Sequence, residues 1–156
     1  MRTVFFLSAL AVLDLAGHGW AATDDLITRG RYVFALAGGC GCHTAKEGPT
    51  NAGGRPLKTP FGTFYGTNIT PDPTHGIGKW TDKQLTDGIR LGIRPDGSVM
   101  SPVMPYPAFS GMSDVDVTAL VTYLRNLPVV AKANQPHKLS IPFMGFAMRL
   151  WRLFFF

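Results

Sequence analysis

The sequence of 156 residues contains only two cysteines, Cys40 and Cys42, and no dense run of basic residues. Its formal net charge is +5, but the lysines and arginines are scattered, so a nucleic-acid-binding protein is not expected, whereas anionic lipid or an acidic protein partner is compatible. One residue separates the cysteines, and a disulfide between such close neighbours would close a very small, strained ring. A fold stabilised by disulfides is therefore not expected either, and the two thiols should have another function.

Apolar runs as long as the ~20 residues of a membrane-spanning helix are also missing. The N-terminal run, residues 3–17, follows a basic start and precedes Gly19 and Ala21, small residues at the two positions that a signal peptidase inspects. We therefore predict a signal peptide over residues 1–21 and an exported mature chain. Asp14 interrupts the run, and the alternative is a retained anchor.

The chain is rich in glycine (18) and proline (12), and both recur throughout residues 44–79. Because Phe61, Phe64 and Tyr65 are embedded in this segment, we interpret it as a long ordered loop, since disordered linkers carry few such residues. A long ordered loop needs something to wrap around, such as a cofactor.

Helix signals occur in three other segments. Residues 23–37 have apolar residues at helical spacing and end at two glycines. Thr81 and Gln84 form a capping box that begins a second helix, and Ser113 caps a third helix that ends before Pro128. The fold class is therefore predicted to be all-α, with no substantial sheet.

The segment Cys40-Gly41-Cys42-His43 carries the most specific chemistry. Haem attachment in c-type proteins uses C-x-x-C-H, in which the thiols add across the haem vinyl groups and the adjacent histidine binds iron. Here a single residue separates the cysteines. Because the histidine must adjoin the second cysteine, so that one covalent anchor places the haem against its imidazole, Cys42 is the preferred thioether. Cys40 either bonds after local distortion or stays free.

Several segments, in the same order along the chain, resemble single-haem c-type cytochromes. The chain is similar, over about residues 24–130, to the cytochrome domains that serve bacterial membrane-associated alcohol, gluconate and aldehyde dehydrogenases. The matching segments are residues 36–44 around the haem motif, 66–73 and 76–80 after it, 94–97 and 104–106 near the distal ligand, and 114–127 in the closing helix. The resemblance implies an all-α domain, residues 22–130, of three to four helices and long ordered loops around one haem c.

The resemblance also places the axial ligands of the iron. The proximal ligand falls on His43 and the distal thioether on Met104, which lies between Pro102 and Pro105 on a stiffened loop. A methionine sulfur is a soft donor, and Met/His ligation raises the haem potential. Met100 is the alternative ligand.

Four further residues are candidate haem-binding residues. Trp80 would pack against or hydrogen-bond a haem propionate, or else belong to the core. Asn68, Arg55 and Thr67 are candidates for propionate contacts.

The resemblance implies electron transfer by a haem that cycles between Fe(III) and Fe(II), in a carrier and not an enzyme. Its partners would be a dehydrogenase subunit and a quinone- or oxidase-linked acceptor, in the periplasm at the inner membrane. Two alternatives stay open. One is a haem protein with an open site that binds or reduces a small ligand. The other is a zinc protein that uses Cys40, Cys42 and His43.

The C-terminal residues 131–156 are predicted to form a tether and an apolar tail. As a helix, residues 141–156 would span about 24 Å, short of the ~30 Å hydrocarbon core. Arg149 and Arg152 share a helix face and make full insertion costly. We predict docking on the membrane surface or on a membrane-associated redox subunit. The alternative is that the tail folds back onto its own domain. A chain that ends at Gln135 should keep its ligation.

Overall fold

The computed structural model describes residues 16–39, 41–140 and 143–156. These residues form five α-helices and one antiparallel sheet of three short strands. The elements are α1 (Ala16–Leu36), β1 (Pro56–Thr59), β2 (Gly62–Tyr65), α2 (Asp82–Leu91), α3 (Tyr106–Phe109), α4 (Asp114–Arg125), β3 (Lys138–Leu139) and α5 (Met144–Phe155). The chain is thus largely helical, as predicted, and the small sheet is an element that the all-α prediction did not include.

Helices α1 and α4 cross at Gly30. This glycine is buried, and a Cβ atom added to it would lie 2.6 Å from Cβ of Tyr123, so only glycine lets the two helices approach so closely. Beside the crossing, Arg29 pairs with Asp116 at 2.7 Å. Helix α1 begins at Ala16, upstream of its predicted start, and so includes part of the segment predicted to be a signal peptide.

Both predicted helix caps are confirmed. At α2, Oγ1 of Thr81 accepts a hydrogen bond from the backbone N–H of Gln84 (3.2 Å), and Oε1 of Gln84 accepts one from the backbone N–H of Thr81 (2.8 Å). At α4, Oγ of Ser113 accepts a hydrogen bond from the backbone N–H of Asp116 (3.1 Å). Each cap satisfies amide groups that have no partner inside the helix. Helix α2 ends at Gly92, which is left-handed with φ 63°.

Helices α1, α2 and α4 enclose the apolar core. Its buried members are Val33, Ile77, Leu85, Ile89, Val117, Leu120, Val121, Leu124 and Leu127. Trp80, Phe109 and Met112 are half-buried against this cluster. Because the core joins the helices on either side of the long loops, it fixes the points at which these loops begin and end.

The sheet lies partly in the segment predicted to be an ordered loop. Strands β1 and β2 form a hairpin with Pro56 opposite Tyr65, and β3 pairs with β2 through Gly62 and Thr63. Strands of four and two residues are too short for an alternating pattern to stand out in the sequence. The third strand therefore depends on a pairing between the loop and the C-terminal tether, which local sequence does not reveal.

The tether is held along the domain by hydrogen bonds. The side-chain amide of Asn68 donates to the carbonyls of Val130 (2.8 Å) and Lys132 (3.1 Å). Nδ1 of His137 accepts a hydrogen bond from the backbone N–H of Tyr65 (3.1 Å). The tether is thus held in an ordered conformation along the domain, so the tail begins at a defined place.

Helix α5 folds back onto the domain, which is the alternative that the sequence left open. Trp151 and Phe156 contact Tyr106, with ring centroids 6.4 Å and 5.4 Å from the tyrosine ring. The other side of α5 is open to solvent, where Leu153 is 75% and Phe154 72% exposed. Among the described residues, none of the helices combines the length and the apolar character needed to cross a membrane.

Candidate functional site

His43 is oriented by a backbone carbonyl. Its Nδ1 lies 2.8 Å from the carbonyl oxygen of Thr67, and because a carbonyl only accepts, Nδ1 carries the hydrogen. Burial lowers the pKa of His43 more than this hydrogen bond raises it, so the imidazole is neutral and Nε2 is the unprotonated nitrogen. A histidine whose other ring N–H is fixed in this way is the usual form of a metal ligand.

Two glycines bring the long loop against the backbone of Cys42 and His43. A Cβ atom added to Gly66 would collide with the carbonyl oxygen of Cys42. The N–H of Gly53, a residue with φ 72°, donates to the carbonyl of His43 at 2.7 Å. The loop therefore wraps closely around the segment predicted to attach haem.

The thiol of Cys42 is free and exposed. It directly precedes His43, so a group bonded to this sulfur would lie beside the imidazole. Cys40 lies outside the described residues. Its predicted role, as a second thioether or as a free thiol, stays a prediction.

Met104 lies on the loop between α2 and α3, residues 93–105, which we call the ligand loop. Its side chain is half-buried. The backbone N–H of Met104 donates to the carbonyl of Ser101 (3.0 Å), and its carbonyl accepts a hydrogen bond from the N–H of Tyr106 (2.7 Å). The backbone on both sides of this methionine is thus held in tight turns.

Met100 and Trp80 meet over Gly88 on α2. Cε of Met100 and Cζ3 of Trp80 each lie 3.3 Å from the position that a Cβ atom of Gly88 would occupy. Met100 therefore packs between the ligand loop and α2. Trp80 packs against the core, and its predicted contact with a haem propionate stays a prediction.

The cytochrome c family model matches residues 27–128, which is most of the chain. The chain belongs to the cytochrome c family. This membership confirms the predicted resemblance and supports a haem c cofactor and an electron-transfer role.

The most similar relatives include subunits of dehydrogenases. The chain is 43% identical over 154 residues to the "Alcohol dehydrogenase (quinone), cytochrome c subunit" of Gluconacetobacter polyoxogenes, a match that covers 95% of the chain and 33% of the relative. It is 41% identical over 134 residues to the "Gluconate 2-dehydrogenase cytochrome c subunit" of Pantoea cypripedii, covering 84% of the chain and 30% of the relative. A "Diheme cytochrome c-type" protein of Cereibacter sphaeroides is 41% identical over 122 residues, covering 74% and 41% respectively. The chain thus spans about a third of the length of the two dehydrogenase subunits.

The donor set of this cytochrome c fits a haem c. Cys42 offers an accessible thiol for covalent attachment. His43 offers an unprotonated imidazole nitrogen of fixed orientation, and Met104 offers a thioether on a loop with defined turns. When bound, the haem supplies the one-electron redox couple, and these residues would hold it.

An open groove of about 530 Å³ adds an apolar surface beside the attachment segment of the cytochrome c domain. Its wall on α1 includes Tyr32 and Leu36, which are 63% and 71% exposed, and its opposite wall includes Phe109 and Met112. Exposed apolar side chains in a group mark a surface that binds something. Neither Cys42 nor His43 lines this groove, which lies at the end of α1 that precedes the attachment segment.

The remaining candidate haem-binding residues of this cytochrome c lie in different surroundings. Asn68 is buried, both of its amide hydrogens are donated to the tether, and its Oδ1 accepts from the hydroxyl of Thr70 (2.7 Å). Both of its amide hydrogens are thus engaged by backbone carbonyls, and its predicted propionate contact stays a prediction. Arg55 is exposed. Thr67 acts through its backbone carbonyl, a role that sequence reasoning missed because any residue type can supply a carbonyl.

Proposed function

We propose that this chain is a periplasmic electron carrier with one haem, attached through Cys42, and with iron bound by His43 and Met104. The observation that carries the proposal is the hydrogen bond from Nδ1 of His43 to the carbonyl of Thr67, which leaves Nε2 as the coordinating nitrogen. The experiment that tests the function is an equilibrium redox titration of the full chain. We expect a single reversible one-electron transition.

The chain's own residues have limited tasks in this function. His43 is neutral and fixed, so no proton has to leave it before it binds iron. Met104 supplies a soft, neutral donor that favours Fe(II) and raises the potential. Neither task requires a general acid, a general base or a substrate pocket, in agreement with a carrier.

The partners are proposed from the names of the relatives. Two of them are cytochrome c subunits of alcohol and gluconate dehydrogenases. We propose that the electron donor is a membrane-associated dehydrogenase and that the acceptor is a quinone- or oxidase-linked component of the respiratory chain. The predicted signal peptide, residues 1–21, would export the domain of residues 22–130 to the periplasm.

The tail is proposed to hold the cytochrome at an anionic membrane surface. The solvent-facing side of α5 presents Phe146, Leu153 and Phe154, which are 65%, 75% and 72% exposed. The tail also carries the exposed Arg149, and the sequence contains no acidic residue after position 116. A helix with large apolar side chains and arginines lies in the membrane interface, and its attraction to anionic lipid adds to apolar burial.

The docking proposal predicts that the double variant Leu153→Glu/Phe154→Glu loses about 100-fold in affinity for vesicles of phosphatidylglycerol and phosphatidylcholine. The reason is that each large apolar side chain contributes about 1.5–3 kcal/mol when it is buried. Flotation of the haem-loaded chain with vesicles measures the binding. Phe61→Glu is the matched control, because Phe61 is also an exposed aromatic residue (51%) but lies outside the tail.

The same experiment separates lipid from protein as the surface. Wild-type binding should increase with the phosphatidylglycerol fraction and decrease with salt. A second outcome is that the wild-type chain does not bind vesicles but does co-fractionate with native membranes, and that only the double variant loses this co-fractionation. In that case the tail binds a membrane protein. If all variants co-fractionate equally, the exposed side of α5 is not the docking surface.

A further inference from the structure

The inner side of α5 covers the end of the ligand loop. Tyr106 is fully buried, and its ring is packed edge-to-face by Trp151 of α5 (88°) and by Phe156, the residue after α5 (82°). Phe156 is itself 44% exposed. Phe155 stacks on Trp151 at 6.1 Å. Edge-to-face contact is a favoured geometry for aromatic pairs. Trp151 and Phe156 therefore cover Tyr106, which lies two residues after Met104, while Phe155 is 73% exposed.

Arg152 joins α5 to the beginning of the ligand loop. Its guanidinium donates to the carbonyl of Leu91, the last residue of α2, and lies 5.0 Å from the ring centroid of Phe156. Carbonyls at a helix C-terminus have no partner inside the helix, so an arginine from elsewhere in the chain can cap them. The position of α5 is thus tied to the point where the ligand loop leaves α2.

The two ends of the ligand loop also meet each other. A Cβ atom added to Gly92 would lie 2.5 Å from Cδ1 and Cε1 of Tyr106, so the tyrosine ring packs directly on the backbone of Gly92. The carbonyl of Gly92 accepts a hydrogen bond from the N–H of Met100 (2.7 Å). The N–H of Tyr106 in turn donates to the carbonyl of Met104. Any movement of Tyr106 therefore reaches both ends of the loop and the backbone of Met104.

We propose that Trp151 and Phe156 are positioning residues, which clamp Tyr106 and thereby hold Met104 in place to bind the haem iron. The proposal rests on the proposed function in one respect, the assignment of Met104 as the distal ligand. It assigns the two sides of α5 different tasks: the inner side fixes the ligand loop, and the solvent-facing side is available for docking. Without the clamp, Tyr106 would be uncovered, and the sulfur of Met104 would leave the iron more often.

The test uses the full, haem-loaded chain with the double variant Trp151→Ala/Phe156→Ala. Carbon monoxide binds reduced iron only while the methionine is displaced, so its binding rate reports the displaced fraction. We expect this rate to rise about tenfold or more, equivalent to about 1.4 kcal/mol in the ligation equilibrium. The sulfur-to-iron absorption band should weaken, and the reduction potential should fall. These measurements report the bond between Met104 and the iron in the native state. A lower free energy of unfolding alone would not change them.

Conservative variants separate positioning from packing in general. Trp151→Phe keeps an aromatic ring against Tyr106 and should restore most of the wild-type rate. Tyr106→Phe should also behave as wild type, because the buried Oη of Tyr106 has no hydrogen-bond partner among the described residues. Phe61→Ala is the matched control for the loss of an exposed ring outside the tail and should leave the rate unchanged.

The outcomes distinguish the clamp from the ligand assignment. If Met104→Ala keeps the sulfur-to-iron absorption band of the wild type, the assignment of Met104 as the distal ligand fails. If Met104→Ala abolishes the band while the double variant binds carbon monoxide at the wild-type rate, the clamp is overturned and the ligand assignment stands. If the double variant does not incorporate haem, the single variant Phe156→Ala is measured. It should show a smaller increase of about twofold or more, and a wild-type rate there would overturn the proposal.

Discussion

Replacing Met104 with alanine should lower the reduction potential by about 100 mV or more, a moderate part of the ~0.8 V range over which axial ligands set haem potentials. The physical reason is the loss of a soft thioether that stabilises Fe(II) relative to Fe(III). The vacated position should also bind carbon monoxide rapidly. Spectroelectrochemistry and rapid-mixing absorbance measure the two effects.

Met100→Leu is the matched control for Met104→Ala. Cε of Met100 packs over Gly88, and a Met-to-Leu exchange keeps the volume of such a site nearly constant. We expect this variant to keep the sulfur-to-iron band and the potential. Loss of the band in Met100→Leu, with an unchanged Met104→Ala variant, would transfer the distal role to Met100.

Replacing Cys42 with alanine should abolish covalent haem attachment. Its thiol is exposed and precedes the fixed imidazole of His43, so it is the sulfur best placed to bond a haem that this imidazole holds. Haem that resists acid-solvent extraction and stays with the denatured chain in mass spectrometry measures the covalent load. The expected result is none in Cys42→Ala and a partial load in Cys40→Ala, the paired control. A full load in Cys42→Ala would show that the thioether had been assigned to the wrong cysteine.

Local chemistry made several parts of the structure predictable. The capping box of Thr81 and Gln84 involves residues three apart, so the sequence alone contains the whole interaction. The same holds for Ser113 at α4. The pairing of cysteine and histidine at positions 42 and 43 is likewise local, which is why the sequence indicated the attachment segment.

Contacts between distant parts of the chain were not predictable in this way. Strand β3 is recognisable only through its pairing with β2, because two residues carry no pattern of their own. Asn68 was expected at a propionate because of its place in a motif, but its hydrogen bonds go to the tether. The acceptor for His43 is a backbone carbonyl, which leaves no trace in the identity of residue 67.

The tail shows the same limit most clearly. Its composition predicted an apolar docking segment and allowed the expectation that a chain ending at Gln135 keeps its ligation. The structure instead places Trp151 and Phe156 on Tyr106, next to the ligand loop. Composition indicates that a segment is apolar, but only the fold shows that one side of it packs against the chain's own domain.

The measurement that bears most directly on this cytochrome c is an equilibrium redox titration of the purified full chain, followed by its visible absorption. We predict a covalently bound haem, a weak sulfur-to-iron band in the oxidised form, and one reversible transition that takes up one electron per chain. A chain without haem absorption that holds zinc would contradict the electron-carrier function. So would an oxidised spectrum that lacks the sulfur-to-iron band together with rapid binding of carbon monoxide by the reduced wild type, since both would indicate an open site.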